Sequence, residues 1–208
     1  TSTGHDYPFF RAARAAANPG AELIAVSYAR NTDLTYGSDL ELEKAYLQYV
    51  SGWMFDAFGL RPAAGRLLTE NDDRIPQGHP HAVLSHDYWQ SRFAADPGVI
   101  GQTFTFDKRL YEIVGVVQPG FSGIEPGTMT DIFVPTMMNP LVERSGRTWF
   151  QALALIDGDV EVQSLLARMQ LTFATHLQDE EKRLRARGYS ESQVEMRLSQ
   201  QLLLEPAA

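Results

Sequence analysis

Apolar and polar positions alternate along this chain with two periods, and the switches between them mark out its elements. Phe9, Phe10, Ala13 and Ala17 fall on one face of a helix, with Asp6 or Tyr7 as its cap and Pro8 in the first turn, where a missing amide hydrogen costs nothing. Asn18, Pro19 and Gly20 stop it. Residues 21–30 read as a strand, 31–37 as a polar turn or weak strand, and 40–50 as a longer strand. Within that last run Leu40 and Leu42 share one parity while Leu47 and Tyr49 share the other, which predicts a β-bulge near Lys44. Ser51 then stands as the N-cap of one or two helical turns carrying Met54, Phe55 and Phe58, Gly59 ends them, and 60–68 form an apolar loop.

The segment 69–80, rich in Asp, Pro, Gly and Asn, predicts a solvated surface loop. A brief strand at 82–84 follows, and Ser85 caps a helix in which Trp89 and Phe93 share a side. Residues 103–106 and 110–117 pair as a hairpin around a turn at 107–109, and 113–117, apolar on both parities, predict a strand covered on both faces. Residues 119–127 are too rich in Gly and Pro for regular structure. Short strands at 131–135 and 148–156 lead through a turn at 157–159 into the longest helix, 160–187, with Val162, Leu165, Leu166, Met169, Phe173 and Leu177 at helical spacing. Gly188 fits the position after its end, Ser190 and Gln193 form a capping box for a last helix, and 201–204 suit a closing strand. The order predicts an α+β fold with an insertion: outer segments 1–66 and 132–208 hold the longer strands and larger helices, around a smaller β-rich unit at 67–131.

Composition narrows the classes. A hydrophobic content of 44% and a charged content of 21% suit a folded chain of 208 residues. The net charge of −8 excludes a phosphate-tracking surface, so no nucleic-acid partner is expected. With no cysteine there is no disulfide, thiol nucleophile or Cys-ligated metal. Neither a long apolar run nor a signal peptide is visible. A start at Thr1 and an end at Pro206, Ala207 and Ala208 suit an excised segment, with targeting information outside it.

The candidate chemistry is sparse. His79, His81 and His86, with Asp72, Asp73 and Asp87 nearby, are the densest set of metal-type ligands, but Pro80 holds the first two imidazoles apart in an extended loop, so no metal site is expected. Ser51 and Ser85 lack the flanking glycines of a nucleophile elbow and read as caps. The pairs Asp72–Asp73 and Glu180–Glu181 read as solvated charge. The Gly-rich run 120–127 lacks the Gly-Lys-Ser/Thr of a phosphate cradle, so no cofactor site is assigned. What remains are aromatic and sulfur side chains suited to anchoring a partner: Trp53, Met54 and Phe58 at the junction of the two parts, and Phe121 in the irregular loop.

The run Val50, Ser51, Gly52, Trp53, Met54, Phe55 through Pro62, Gly65 and Arg66, then Ala82, Val83, Leu84, Ser85 with Trp89, Arg92 and Phe93, then Ile100-Gly101 and Asp131, Ile132, Phe133, Val134, Pro135, resembles the extracytoplasmic core domain of MacB-like ABC transporter permeases. The wording at 78–85, 96–101 and 119–123 is nearest to the stand-alone permeases of acidobacteria; the run Gly52, Trp53, Met54 and Phe55 departs from the family pattern, which has a smaller polar residue and Tyr there. The resemblance implies a discontinuous porter-like α/β subdomain, 1–66 with 132–208, around an inserted sabre-like β-rich subdomain, 67–131. It also implies a non-catalytic domain on the periplasmic face of the bacterial inner membrane, joined to its own transmembrane helices, dimeric in the full permease, served by a separate or fused cytoplasmic ATPase and by a periplasmic adaptor. The rival readings are a metal-dependent hydrolase using His79, His81 and Asp87, and a periplasmic ligand-binding domain without transport coupling.

Overall fold

Local sequence signals decide where most elements begin and end. In a computed structural model, which describes residues 2–3, 6–37, 42–125, 127–156, 158 and 160–198, strand β1 (Ser2–Thr3) precedes helix α1 (Tyr7–Ala17). Asp6 Oδ1 accepts the Phe9 amide at 3.0 Å and Pro8 lies in the first turn, as the sequence predicts. Strands β2 (Ala21–Ser27), β3 (Arg30–Tyr36) and β4 (Leu42–Val50) follow. The bulge expected near Lys44 is absent, because β3 and β4 pair without a break from Thr35 opposite Leu42 to Arg30 opposite Leu47. Leu42 is instead an apolar residue left 72% exposed. The irregularity lies on the other strand: Val26 faces Val50 and Arg30 faces Leu47, so residues 27–29 stand opposite only Gln48 and Tyr49.

Helix α2 (Met54–Ala57) is a single turn ended by Gly59 at φ 66°. Ser51 does not cap it. Its Oγ accepts the Ala25 amide at 2.9 Å, and Trp53 takes the cap position. Within the expected loop 60–68 lies a short strand, β5 (Pro62–Gly65). Strand β6 (His81–Leu84) leads through Ser85, which accepts the Tyr88 amide as a cap, into α3 (His86–Phe93). Strands β7 (Thr103–Phe106) and β8 (Arg109–Val117) form the expected hairpin, with Asp107 and Lys108 both left-handed at the turn. Strands β9 (Ile132–Pro135) and β10 (Phe150–Ile156), helix α4 (Val162–Ala186) and helix α5 (Glu191–Leu198) complete the chain. The Ser190 amide donates to Gln193 Oε1 at 3.0 Å, one half of the expected box. The strand expected at 201–204 and most of the turn at 157–159 lie outside the described residues.

The chain divides into two units, 1–23 with 144–208 and 24–143, and β2 runs from one into the other. In the second unit the ladders close on themselves: β3 pairs β4, β4 pairs β9, β9 pairs β6, β6 pairs β8, β8 pairs β7, and β7 returns to β3. This is a small barrel of mixed strands. Leu34 and Tyr36, Ala45 and Leu47, Ala82 and Leu84, Phe104, Tyr111 and Ile113, and Ile132 and Val134, taken at every second position along their strands, all fall into one buried cluster, the barrel interior, joined there by Tyr88 of α3 and by Met138. Burial pushes the Tyr36 hydroxyl up to about 12, against the opposing effect of its hydrogen bond with Tyr88. Past Ile113 the β6–β8 register skips Val114, so Val116 turns inward instead, and 113–117 are buried throughout as expected. Strand β5 crosses β8 so closely that a Cβ on Gly115 would sit 1.8 Å from the Arg66 carbonyl oxygen.

The barrel explains why this division differs from the boundaries at 66/67 and 131/132 that the sequence suggests. Strands β3, β4 and β9 lie outside 67–131, yet without them the ring stays open.

In the first unit α1 packs on α4 through Phe9 and Phe173, whose rings meet edge-on at 5.3 Å, and Tyr7 and Phe10 meet Phe150 of β10. β10 pairs antiparallel with β1. Leu165, Met169, Phe173 and Leu184 are the buried stripe of α4.

Candidate partner-contact site

The residues proposed as anchors lie where α2, β9 and the connection from β8 to β9 meet, all in the barrel unit. Gly52 makes the entry possible: a Cβ there would stand 2.2 Å from the Thr69 carbonyl oxygen. The departure at Gly52, Trp53 and Met54 is therefore a fitted turn, with the Gly52 amide donating to Asp73 Oδ2 at 3.1 Å. From this turn Met54 and Phe55 point inward and are fully buried, so Met54 is a core residue and drops out of the contact set. Trp53, Phe58 and Phe121 are half-buried. Phe55 meets Phe133 edge-on at 5.6 Å, Phe121 stacks on Phe133 at 5.6 Å, and Phe121 reaches Phe58 at 6.4 Å. The structure thus brings Phe58 and Phe121 together over the Phe55–Phe133 pair.

Beside this cluster lies a polar hub that the sequence reading places in solvent. Asp72 and Asp73, in a 3-10 turn over Glu70–Asp73, are only 4% and 3% exposed. Asp72 receives both ends of the Arg66 guanidinium at 2.8 and 2.9 Å, the Thr69 amide and hydroxyl, and His81 Nδ1 at 2.7 Å. Burial raises its carboxyl, but Arg66, Thr69 and His81 outweigh that and hold it well below the usual carboxylate range. Asp73 takes the amides of Gly52 and Met137 and the Thr136 hydroxyl. The signal for the hub was present in the spacing of Thr69 and Asp72, a capping box, which the structure forms.

The arrangement leaves little for chemistry. Donors surround both carboxylates, and His81 is spent on Asp72. His79 lies with its ring 6.0 Å from that of His81, while Asp87 sits exposed in the first turn of α3. Among the described residues no group of three or more His, Asp or Glu side chains is placed to hold a metal ion.

The sequence model of the MacB-like periplasmic core domain matches residues 2–171. The macrolide export ATP-binding/permease protein MacB of Aggregatibacter actinomycetemcomitans is 31% identical over 120 residues, which are 57% of this chain and 18% of that protein. The fold matches the periplasmic region of MacB from Actinobacillus actinomycetemcomitans, with a TM-score of 0.60 at 20% identity over 84% of this chain and 76% of that one. It also matches the extracellular domain of the noncanonic ABC-type transporter YknZ from Gram-positive bacteria, with a TM-score of 0.57 at 15% identity over 80% and 82%. A domain of a permease protein from Porphyromonas gingivalis gives 0.54 at 19% identity over 81% and 69%. By the match over 2–171, this chain belongs to the MacB-like periplasmic core domain family of ABC transporter permeases.

Proposed function

We propose that this chain is the periplasmic lever of a MacB-like permease and makes or breaks no bond itself. The observation that carries the reading is the family match over residues 2–171, on a chain whose buried carboxylates, Asp6, Asp72 and Asp73, are committed to caps and turns. In this reading the domain stands on the outer face of the inner membrane, joined to transmembrane helices of the same permease. A cytoplasmic ATPase, separate or fused, moves those helices. The 25-residue α4 carries the motion to the domain and changes how two copies in a dimer meet. The contact set Trp53, Phe58 and Phe121 supplies a half-buried aromatic area for the second copy or a periplasmic adaptor. In this reading the porter-like part is 1–66 with 132–208 and the sabre-like part is the inserted 67–131, with β3, β4 and β9 of the former completing the ring of the latter.

The test is disulfide cross-linking between cysteines placed in pairs at the dimer face of the full permease, in nucleotide-free and ATP-bound states. Coupling requires that the set of pairs that close differs between the two states; identical patterns reject it.

A further inference from the structure

The extra residue between β2 and β3 leaves backbone groups that the ladder with β4 does not serve, and side chains serve them instead. The Ala29 amide donates to Glu125 Oε2 at 3.0 Å. Gln48, fully buried, donates to the Ser27 carbonyl at 2.9 Å and accepts the Thr130 hydroxyl at 3.2 Å. The Thr130 amide in turn donates to the Ser122 carbonyl at 2.7 Å. Glu125, Thr130 and Ser122 all belong to the irregular connection between β8 and β9, whose Phe121 stacks on Phe133 and meets Phe55 edge-on at 6.2 Å. Gly120 and Gly123, at φ 86° and 108°, flank Phe121 and give the connection joints that other residues rarely supply.

The connection is therefore fixed at its two ends by backbone bonds of Gln118 and Asp131, and between them is held down at separate points by side-chain bonds and the ring contacts of Phe121, while the strands beneath it close through backbone ladders. These differ in strength: local openings cost least where few apolar contacts and few ladder bonds must break. We propose that the described part of this connection is a strap that opens as one cooperative unit over a barrel that stays closed. Opening frees Phe121 from Phe55 and Phe133 and frees Glu125 from Ala29 in the same event. The strap needs no transporter to exist. Only its use rests on the contact reading: when open, it bares Phe55 and Phe133 next to Phe58 and enlarges the aromatic area offered to a partner.

Amide hydrogen exchange on the 208-residue chain tests this without any partner. Phe121→Ala touches neither the Ala29 nor the Thr130 amide, yet a cooperative strap requires both to exchange faster together, by roughly tenfold or more, while the Leu34 and Val83 amides of the barrel keep their rates. Phe121→Leu, which keeps most of the apolar bulk, gives the same pattern at smaller amplitude. No acceleration, acceleration at Thr130 alone, or equal acceleration of the barrel amides each overturns the proposal. Failure of the cross-linking test leaves these rates untouched, so the two readings fail separately.

Discussion

A buried carboxylate is tolerated when donors meet its oxygens, and Asp72 has an Arg fork, a His, an amide and a hydroxyl around it. Asp72→Asn removes the charge and leaves Arg66 without its ion partner, so a loss of about 2–4 kcal/mol in urea unfolding is expected. The sign with pH follows from the depressed carboxyl. Its contribution is complete above the unfolded value of about 3.9 and is lost as pH falls below it, so the gap between the two proteins should be steady from about pH 7 to 5 and shrink by about pH 3. A gap that stays constant into acid would mean that Asp72 acts through shape alone. Single residues were unevenly legible. Asp6 and Ser85 bind amides three positions on and could be read as caps, whereas Ser51 sits before a helix and bonds Ala25, 26 positions back. Its chemistry was legible and its partner was not.

Elements are legible where a short range decides them. The β7–β8 turn, both cap residues and Gly59 are set by neighbours within four positions. Leu42 misled because an exposed leucine mimics a phase change, and the real extra residue shows only once β2, β3 and β4 are aligned. Strand β5 was hidden because its pairing depends on Gly115, a distant residue whose missing side chain lets Arg66 approach. The end of α3 is open to improvement. Ala94 caps it in the left-handed region at φ 49°, and the next amide, that of Ala95, donates to the Trp89 carbonyl at 3.2 Å. Ala94→Gly keeps that bond and relieves the conformation, so a gain of about 1 kcal/mol is expected, seen as a higher urea midpoint at unchanged slope. A lower midpoint would show that the added chain entropy outweighs the strain relieved.

At the scale of the whole molecule, the α+β class and the idea of an insertion were legible from the order of elements, but the ring was not. Its closing step is the parallel pairing of β4 with β9, where Tyr46 meets Asp131 across 85 positions, and no local pattern announces such a pair. The boundaries can be checked directly. Residues 24–143 made alone contain every ring strand and should unfold cooperatively with near-ultraviolet dichroism, while 67–131 alone should not; cooperative folding of the shorter piece would discard the barrel as the folding unit. Closure also has a colloidal consequence. Each of the six ring strands has a ladder neighbour on both sides, so over the paired stretches their amides and carbonyls offer no template on which a foreign strand could grow. Stocks of this unit should stay free of fibrils at concentrations where open sheets seed them, and whatever binds the ring must grip it by side chains.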